Sequence, residues 1–252
     1  GPAIGDMACG EYGEGKMSEP IEIFNEINNF LFNKSKNKNI KALVTAGPTL
    51  EYIDPVRFIS NKSSGKQGYE IAKSLSKRGF STTLISGPTN LDIDENINLI
   101  KVDTAEEMFN ATRKNLPTDI AIFSAAVADF KMSNKYPKKI KKSETLSINF
   151  EKNIDILHYV SNHNSMRPKL VVGFAAETEN LERNATTKLD KKNCDWIIAN
   201  DVSKKEIGFN SDFNEVTIYY KDKSNQKEKL SIKKKSEISE EIVDRIVSQI
   251  NG

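Results

Sequence analysis

Between Ile59 and Gly68 the chain reads ISNKSSGKQG. Three serines, two glycines and two lysines gather there, where a predicted helix, QGYEIAKSLSKRG, begins. The start of a helix presents free backbone N–H groups and a partial positive charge, so it attracts anions. Glycine lets the backbone approach a phosphate closely, and lysine adds a full charge. Phosphate binding is the chemistry this segment suggests. A plain Gly/Ser-rich capped loop would use the same residues, and the ten residues alone do not separate the two.

Other reactive side chains fall at the ends of predicted strands: Gly47-Pro48-Thr49, Ser86-Gly87, Ala125–Asp129, Phe174–Thr178 and Asn200-Asp201. In open α/β sheets ligands bind outside the carboxyl ends of the strands. Asn134–Lys142, NKYPKKIKK, is a basic loop with little apolar content. Lys188 and Lys192 are four apart, which places both on one helix face. No G-x-G-x-x-G follows the first strand, and there is no G-x-x-x-x-G-K-[ST] or nucleophile elbow. An ordinary dinucleotide site, a P-loop NTPase and a serine hydrolase are therefore disfavoured.

The elements that must hold these residues can be read in order. Lys41–Ala46, Phe80–Ile85, Ile97–Val102, Asp119–Ser124, Leu170–Ala175 and Trp196–Ala199 are short apolar runs. Helical patterns at Gly68–Arg78, from Thr104, and at Ala185–Lys192 separate them, with Gly79 as a cap and Thr104/Glu107 at capping-box spacing. Continuous apolar strands alternating with helices predict a parallel sheet covered on both faces. Leu146–Phe150 reads as a further strand, Glu215–Asp222 and Lys229–Lys235 as a hairpin, and Glu237–Ile250 as an amphipathic helix. Residues 1–38 form an N-terminal extension, with a disordered start and a helix over Glu22–Phe32, ahead of one α/β domain at 39–252.

Bulk properties narrow the function further. The net charge is +2, from 37 basic and 35 acidic residues, which argues against a general nucleic-acid binder. Two cysteines, Cys9 and Cys194, and two histidines give no disulfide framework and no histidine-rich metal centre. Cys194 has no base placed to activate it and reads as a buried apolar residue. No apolar run reaches the length of a membrane span and no signal peptide is visible, so a cytoplasmic protein with no membrane partner is expected.

TAGPT, IDPVRFISNKSSGKQG, AAVADF, KIKK, VGFAAET and ANDVS occur in that order. Together they resemble the phosphopantothenoylcysteine synthetases of coenzyme A synthesis, in the bacterial-type form, from roughly Lys41 to Tyr220. Residues 1–38 are too short for the flavin-dependent decarboxylase often fused to bacterial members, so a stand-alone synthetase is expected. The resemblance implies a Rossmann-like three-layer αβα fold, with a small antiparallel extension used for dimerisation. It implies a ligase that joins 4'-phosphopantothenate to L-cysteine, using CTP or ATP and Mg2+ through an acyl-nucleotidylate. It places catalysis on Asn61, for acyl transfer to cysteine, and on Lys139, for nucleotidylate formation, the latter on a mobile flap near 131–144. It assigns nucleotide contacts to Gly47, Ser86, Gly87, Phe123, Ala125, Asp129, Lys139, Ile154, Asp155, Ile156, Leu157, Phe174, Lys188 and Lys192. Substrate-phosphate contacts fall on Asn61, Ser63, Ser64, Gly65 and Lys66. Glu177 is either structural or a metal ligand, and no protein metal ligand is assigned.

Two departures from the bacterial pattern matter. Pro48 stands in place of a glycine and removes an N–H donor. Ile154 stands in place of a proline ahead of Asp155. The competing functions are an NAD(P)-binding oxidoreductase, which lacks its glycine fingerprint here, and a non-catalytic binding module built on the lysine-rich segments. A homodimer is expected, and the hairpin around Val216–Tyr220 is read as either extending one sheet or pairing with a second subunit.

Overall fold

The computed structural model describes residues 3–6, 11–24, 27, 37–142, 147–203, 211–221 and 227–251. Ahead of the main body, β1 (Ala3–Asp6) and β2 (Tyr12–Lys16) pair antiparallel. The opening stretch was expected to be disordered. Backbone pairing needs no apolar side chains, so a glycine-rich sequence could not announce it. Residues 20–24 are helical, and most of the helix expected over Glu22–Phe32 lies outside the described residues.

The body is an eight-stranded sheet built from β3 (Lys41–Ala46), β6 (Ser81–Ser86), β7 (Asn98–Lys101), β8 (Ile120–Phe123), β11 (Leu170–Glu177), β12 (Trp196–Asp201), β13 (Phe213–Tyr220) and β14 (Lys227–Lys234). Its order is β14-β13-β12-β11-β8-β3-β6-β7, parallel from β12 to β7 and antiparallel at β13 and β14. Alternate residues of β3 serve two cores. Ala42, Val44 and Ala46 pack with α1 (Lys66–Lys77) and α5 (Lys235–Asn251). Leu43 packs on the other side with α2 (Ala105–Lys114), α3 (Ile156–Ser161) and α4 (Leu181–Lys192). Burial on both faces is why these strands read as unbroken apolar runs. The expected capping box of α2 is present, with Thr104 Oγ1 accepting from the Glu107 N–H.

Chain order reverses at β3. After β3 the sheet grows through β6 and β7 on one side, and then through β8, β11 and β12 on the other. Thr45 is level with Ile85 and with Phe123, so three strand tips end together there. The loops leaving β3 and β8 continue the pairing. Ala126 N–H donates to Gly47 O at 2.9 Å and Thr49 N–H to Ala126 O at 3.4 Å. These bonds flank Pro48, whose bridge to Ala126 does not call on its own nitrogen. The lost donor is therefore harmless at this position.

Several sequence expectations are corrected. Helix α1 begins at Lys66 rather than Gly68, because Gly65 (φ 75°) turns the chain into it. The loop after Thr49 contains a ribbon of β4 (Leu50–Tyr52) and β5 (Phe58–Ser60). The strand expected at Leu146–Phe150 is instead β10 (Phe150–Lys152), which pairs with β9 (Phe130–Met132). Both ribbons are three residues wide, too short for a periodic signal. The hairpin around Val216–Tyr220 extends the main sheet, with β13 between β12 and β14 and β14 at the edge. Val216 and Ile218 are buried in this chain's own core.

Gly68 sets the distance between α1 and the sheet. A Cβ there would stand 2.4 Å from Ser124 Oγ and 2.6 Å from Ala46 Cβ. Gly68→Ala must push the helix start off the strand tips, an overpacking that costs about 1–3 kcal/mol. Thermal melts should show a Tm lower by roughly 2–12 °C. An unchanged Tm would mean that the helix tolerates displacement.

Candidate active site

Two chambers lie at this carboxyl edge and share a wall. The first, of about 410 Å³, is lined by Thr45, Phe123, the Ala125 and Val127–Phe130 segment, Lys152–Leu157, Phe174, Lys188 and Lys192. The second, of about 560 Å³, is lined by Asn61–Gly68, Ser124–Val127, Asp129, Phe174, Ala176, Lys188, Asn200, Asn214 and Lys235. Ala125, Val127, Asp129, Phe174 and Lys188 belong to both. A ligand in one chamber therefore meets a ligand in the other across the loop that leaves β8.

Apolar Phe123, Ile156, Leu157 and Phe174 line the first chamber together with several charged side chains. Asp155 caps α3 by accepting from the His158 N–H at 2.9 Å and is paired with Lys192 from α4. Burial alone would raise the Asp155 carboxyl. The Lys192 ammonium and the His158 N–H outweigh it and hold the group below its ordinary value. Lys188 Nζ donates to Phe174 O at 2.8 Å. Burial lowers its pKa, and the nearby Glu177 carboxylate opposes that. The chamber thus combines an apolar floor with two lysines one helical turn apart, an arrangement suited to an aromatic or sugar group carrying anionic oxygens. Gly173 on β11 supports this floor, since a Cβ there would lie 2.7 Å from Leu157 Cδ2.

Side chains and N–H groups at the start of α1 shape the second chamber. Asn61 Nδ2 donates to Val127 O at 3.0 Å and to Ala126 O at 3.4 Å. This fixes Asn61 beside the shared wall. It also commits the amide nitrogen to backbone carbonyls. Ser63, Ser64, Gly65 and Lys66 line the same chamber, and the Gly65 N–H donates to Ser63 Oγ at 3.3 Å. Lys66 Nζ lies 2.5 Å from Asp212.

Ala125, Asp129, Phe123, Ile154, Asp155, Ile156, Leu157, Phe174, Lys188 and Lys192 are thus brought together in the first chamber. Gly47, Ser86 and Gly87 line neither chamber. A Cβ on Gly87 would fall 1.6 Å from Pro48 O, and one on Gly47 would lie 3.0 Å from Gly87 O, so these glycines let two loops cross. Ser86 is buried, donating to Gly87 O and accepting from Tyr69 Oη. Lys139 is exposed and lines neither chamber. Its loop is tied to the Ile53–Arg57 turn. Tyr136 N–H donates to Ile53 O, Ile140 N–H to Asp54 Oδ2, and Arg57 Nη2 to Ile140 O. Glu177 accepts from Asn184 Nδ2 at 2.9 Å and lies outside both chambers. The Cys194 thiol is buried and pushed up to about 12, so it is no nucleophile.

Sequence reasoning missed Lys152, Asn153, Gln67, Asn214 and Lys235 as lining residues. Lys235 sits within a lysine run that reads as a solvated strand, and Asn214 carries no local signal. Among the described residues no group of three or more His, Cys, Asp or Glu side chains could hold a metal ion. No described helix is long and apolar enough to cross a membrane.

Comparison with known proteins places this geometry in a family. The model of the DNA/pantothenate metabolism flavoprotein C-terminal domain matches residues 37–250. The Coenzyme A biosynthesis bifunctional protein CoaBC of Haemophilus influenzae is 44% identical over 251 residues, 99% of this chain and 62% of the relative. The chain therefore spans less than two thirds of that protein. The crystal structure of the C-terminal domain of a CoaBC protein superposes with a TM-score of 0.71 at 35% identity, over 87% of this chain and 98% of that one. A mutant of Cab2, solved in complex with phosphopantothenate-cysteine, gives a TM-score of 0.67 at 18% identity over 92% and 94% of the two chains. At that identity the likeness is one of fold.

The Asp155–Lys192 pair makes stability depend on acid. The folded-state value of Asp155 lies below the ordinary 3.8. Its contribution is complete above the ordinary value and is lost as pH falls through the lowered one. Melting curves from roughly pH 5 to pH 2 should show Asp155→Asn less stable than the parent at the upper end, with the gap closing in acid. A gap that widens in acid would contradict the sign.

Proposed function

The chain belongs to the family of the DNA/pantothenate metabolism flavoprotein C-terminal domain, and on that footing we propose that it is a ligase joining 4'-phosphopantothenate to L-cysteine through an acyl-nucleotidylate. The observation that carries this reading is the pair of chambers meeting at Ala125, Val127, Asp129, Phe174 and Lys188, with Asn61 bonded beside the junction.

A carboxylate does not form an amide with an amine at neutral pH, because its leaving group would be an oxide. In the proposed first step the acid, held in the second chamber, attacks the α-phosphorus of a nucleoside triphosphate in the first. The bond to the β-phosphate oxygen breaks and pyrophosphate leaves. In the second step the cysteine amine attacks the acyl carbon, and the nucleoside monophosphate departs as the amine gives up a proton. Both steps gather negative charge on oxygen, so fixed cations supply most of the stabilisation. Lys188, at the junction and lining both chambers, suits the α-phosphate region. Lys192 and the N–H groups following Asp155 suit the outer phosphates. The bacterial-type segments favour CTP over ATP.

A divalent cation fits this arrangement only as a companion of the triphosphate. Asp129 is the one carboxylate common to both chambers, and magnesium commonly uses one or two carboxylates plus substrate phosphates and water. When bound, it would neutralise phosphate charge.

Lys139 is proposed to act from the flap in the first step, which requires the Ile53–Arg57 tether to release or a second subunit to supply the lysine. Asn61 is proposed to act in the second. Asn61→Asp would set a carboxylate against the Val127 carbonyl, 3.0 Å from the atom it replaces, and disturb the junction. Pyrophosphate release is expected to fall about 100-fold or more in Lys139→Gln. In Asn61→Asp it should continue while product with cysteine is lost. CTP should outperform ATP in the parent protein. Both variants stalling at one step would refute the division of roles, and no pyrophosphate from either nucleotide would refute the function.

A homodimer is proposed, with the two small ribbons as its contact surface. Val56, Phe58, Phe130 and Phe150 are exposed on β4–β5 and β9–β10, and β4 packs against β9. Clustered large apolar side chains left exposed mark association surfaces. Sedimentation at micromolar concentration should give a dimer for the parent and a monomer for Phe58→Glu. A monomeric parent would contradict the proposal.

A further inference from the structure

Six lysines, Lys62, Lys66, Lys152, Lys188, Lys192 and Lys235, line the two chambers against two carboxylates, Asp129 and Asp155. That balance suits a triphosphate and a phosphorylated acid. It opposes the third substrate, because the α-amino group of a free amino acid is an ammonium ion at neutral pH. Like charges repel more strongly where water is partly excluded. The two carboxylates are not equivalent. Asp155 opens into the first chamber only, caps α3 and is paired with Lys192. Asp129 opens into both chambers.

The backbone around Asp129 is fixed on each side. Ala128 N–H donates to Thr49 Oγ1 at 3.0 Å, the Asp129 carbonyl accepts from the Asn153 N–H at 2.8 Å, and Phe130 is paired with Lys152 at the start of β9. The residue is nonetheless exposed, so a solute can reach it from solvent. Its charge, together with that of Glu177, favours the protonated form of Lys188, which burial disfavours. A nucleotidylate would join the acid of the second chamber to the nucleotide of the first, so its acyl carbon belongs at the wall the chambers share. Of the residues on that wall, Ala125, Val127, Asp129, Phe174 and Lys188, only Asp129 is anionic.

We propose that Asp129 receives the α-ammonium of the amino-acid acceptor and seats it beside the acyl carbon. The inference rests on the ligase reading above for the existence of that acyl carbon, and it gives Asp129 a task in the second step besides the nucleotide contact that the family resemblance implies. After pyrophosphate has left, the seated ammonium gives one proton to water and attacks as the free amine. Its nitrogen bonds to the acyl carbon, and the bond from that carbon to the phosphate oxygen breaks. The electron pair of that bond leaves with the nucleoside monophosphate, and a second proton passes from nitrogen to water. Such a seat favours a nucleophile that arrives positively charged over one that arrives neutral.

Hydroxylamine is uncharged at neutral pH and attacks activated acyl groups without needing the seat. Parent and Asp129→Asn are given nucleotide and 4'-phosphopantothenate, with cysteine and hydroxylamine in competition. Both nucleophiles draw on the same nucleotidylate, so the ratio of amide to hydroxamate is independent of any effect of the substitution on nucleotide binding or on the first step. That ratio should fall about 10- to 100-fold in Asp129→Asn, the loss of one charge-assisted hydrogen bond. Asp129→Glu should recover part of it. An unchanged ratio would overturn the proposal and leave Asp129 to the nucleotide alone. Should the variant form no nucleotidylate, the same ratio is read after adding nucleotidylate made by the parent. If the parent yields neither hydroxamate nor amide, the ligase reading itself falls and takes the inference with it.

Discussion

The close seating of α1 on the tips of β3 and β8 is the constraint on which the site depends. Gly68 leaves no room for a Cβ between Ala46 and Ser124. The helix start can therefore lie directly over the point where chain order reverses in the sheet. Gly65, with its positive φ, turns the preceding residues across the same edge. Asn61 then meets the carbonyls of Ala126 and Val127, which belong to a loop distant in sequence. A larger residue at position 68 would separate the two walls of the second chamber before any reacting group was changed.

Charge is distributed in keeping with that geometry. The chain as a whole is nearly neutral, yet Lys66, Lys188, Lys192 and Lys235 line the two chambers. Three of them are held differently: Lys66 by Asp212, Lys188 by the Phe174 carbonyl and Lys192 by Asp155. A cation held by an exposed carboxylate is easily redirected to a ligand, whereas one bonded to a backbone carbonyl stays in place as a fixed donor. The shared wall carries the fixed lysine, and the outer parts carry the redirectable ones.

The small ribbons stand outside this core. β4–β5 and β9–β10 bury little in the chain itself and keep large apolar side chains on the surface. Asp54, nearly inaccessible to solvent, gathers the N–H groups of Val56, Arg57 and Ile140 and so joins the turn of one ribbon to the loop between the strands of the other. The loop bearing Lys139 is consequently oriented by backbone hydrogen bonds, with little packing to hold it.

The amino-acid sequence by itself determined the layered architecture, because strands buried on two faces must be apolar throughout and the helices between them must carry an apolar stripe. It also carried the family resemblance that singled out Ala125, Asp129, Ile154–Leu157, Phe174, Lys188 and Lys192, which line the first chamber. Tertiary structure alone decided which strand tips open into a chamber and which face each other. Gly47, Ser86 and Gly87 look like ligand residues in one dimension, but two loops cross there and take up the space. It decided that Val216–Tyr220 belongs inside the sheet, a matter of which strands flank β13. It also placed Lys235 beside Lys66, a meeting of two helix starts far apart in the chain. Local patterns report the periodicity of one element, whereas close approach between elements is set by the whole packed sheet, and no short stretch of residues encodes it.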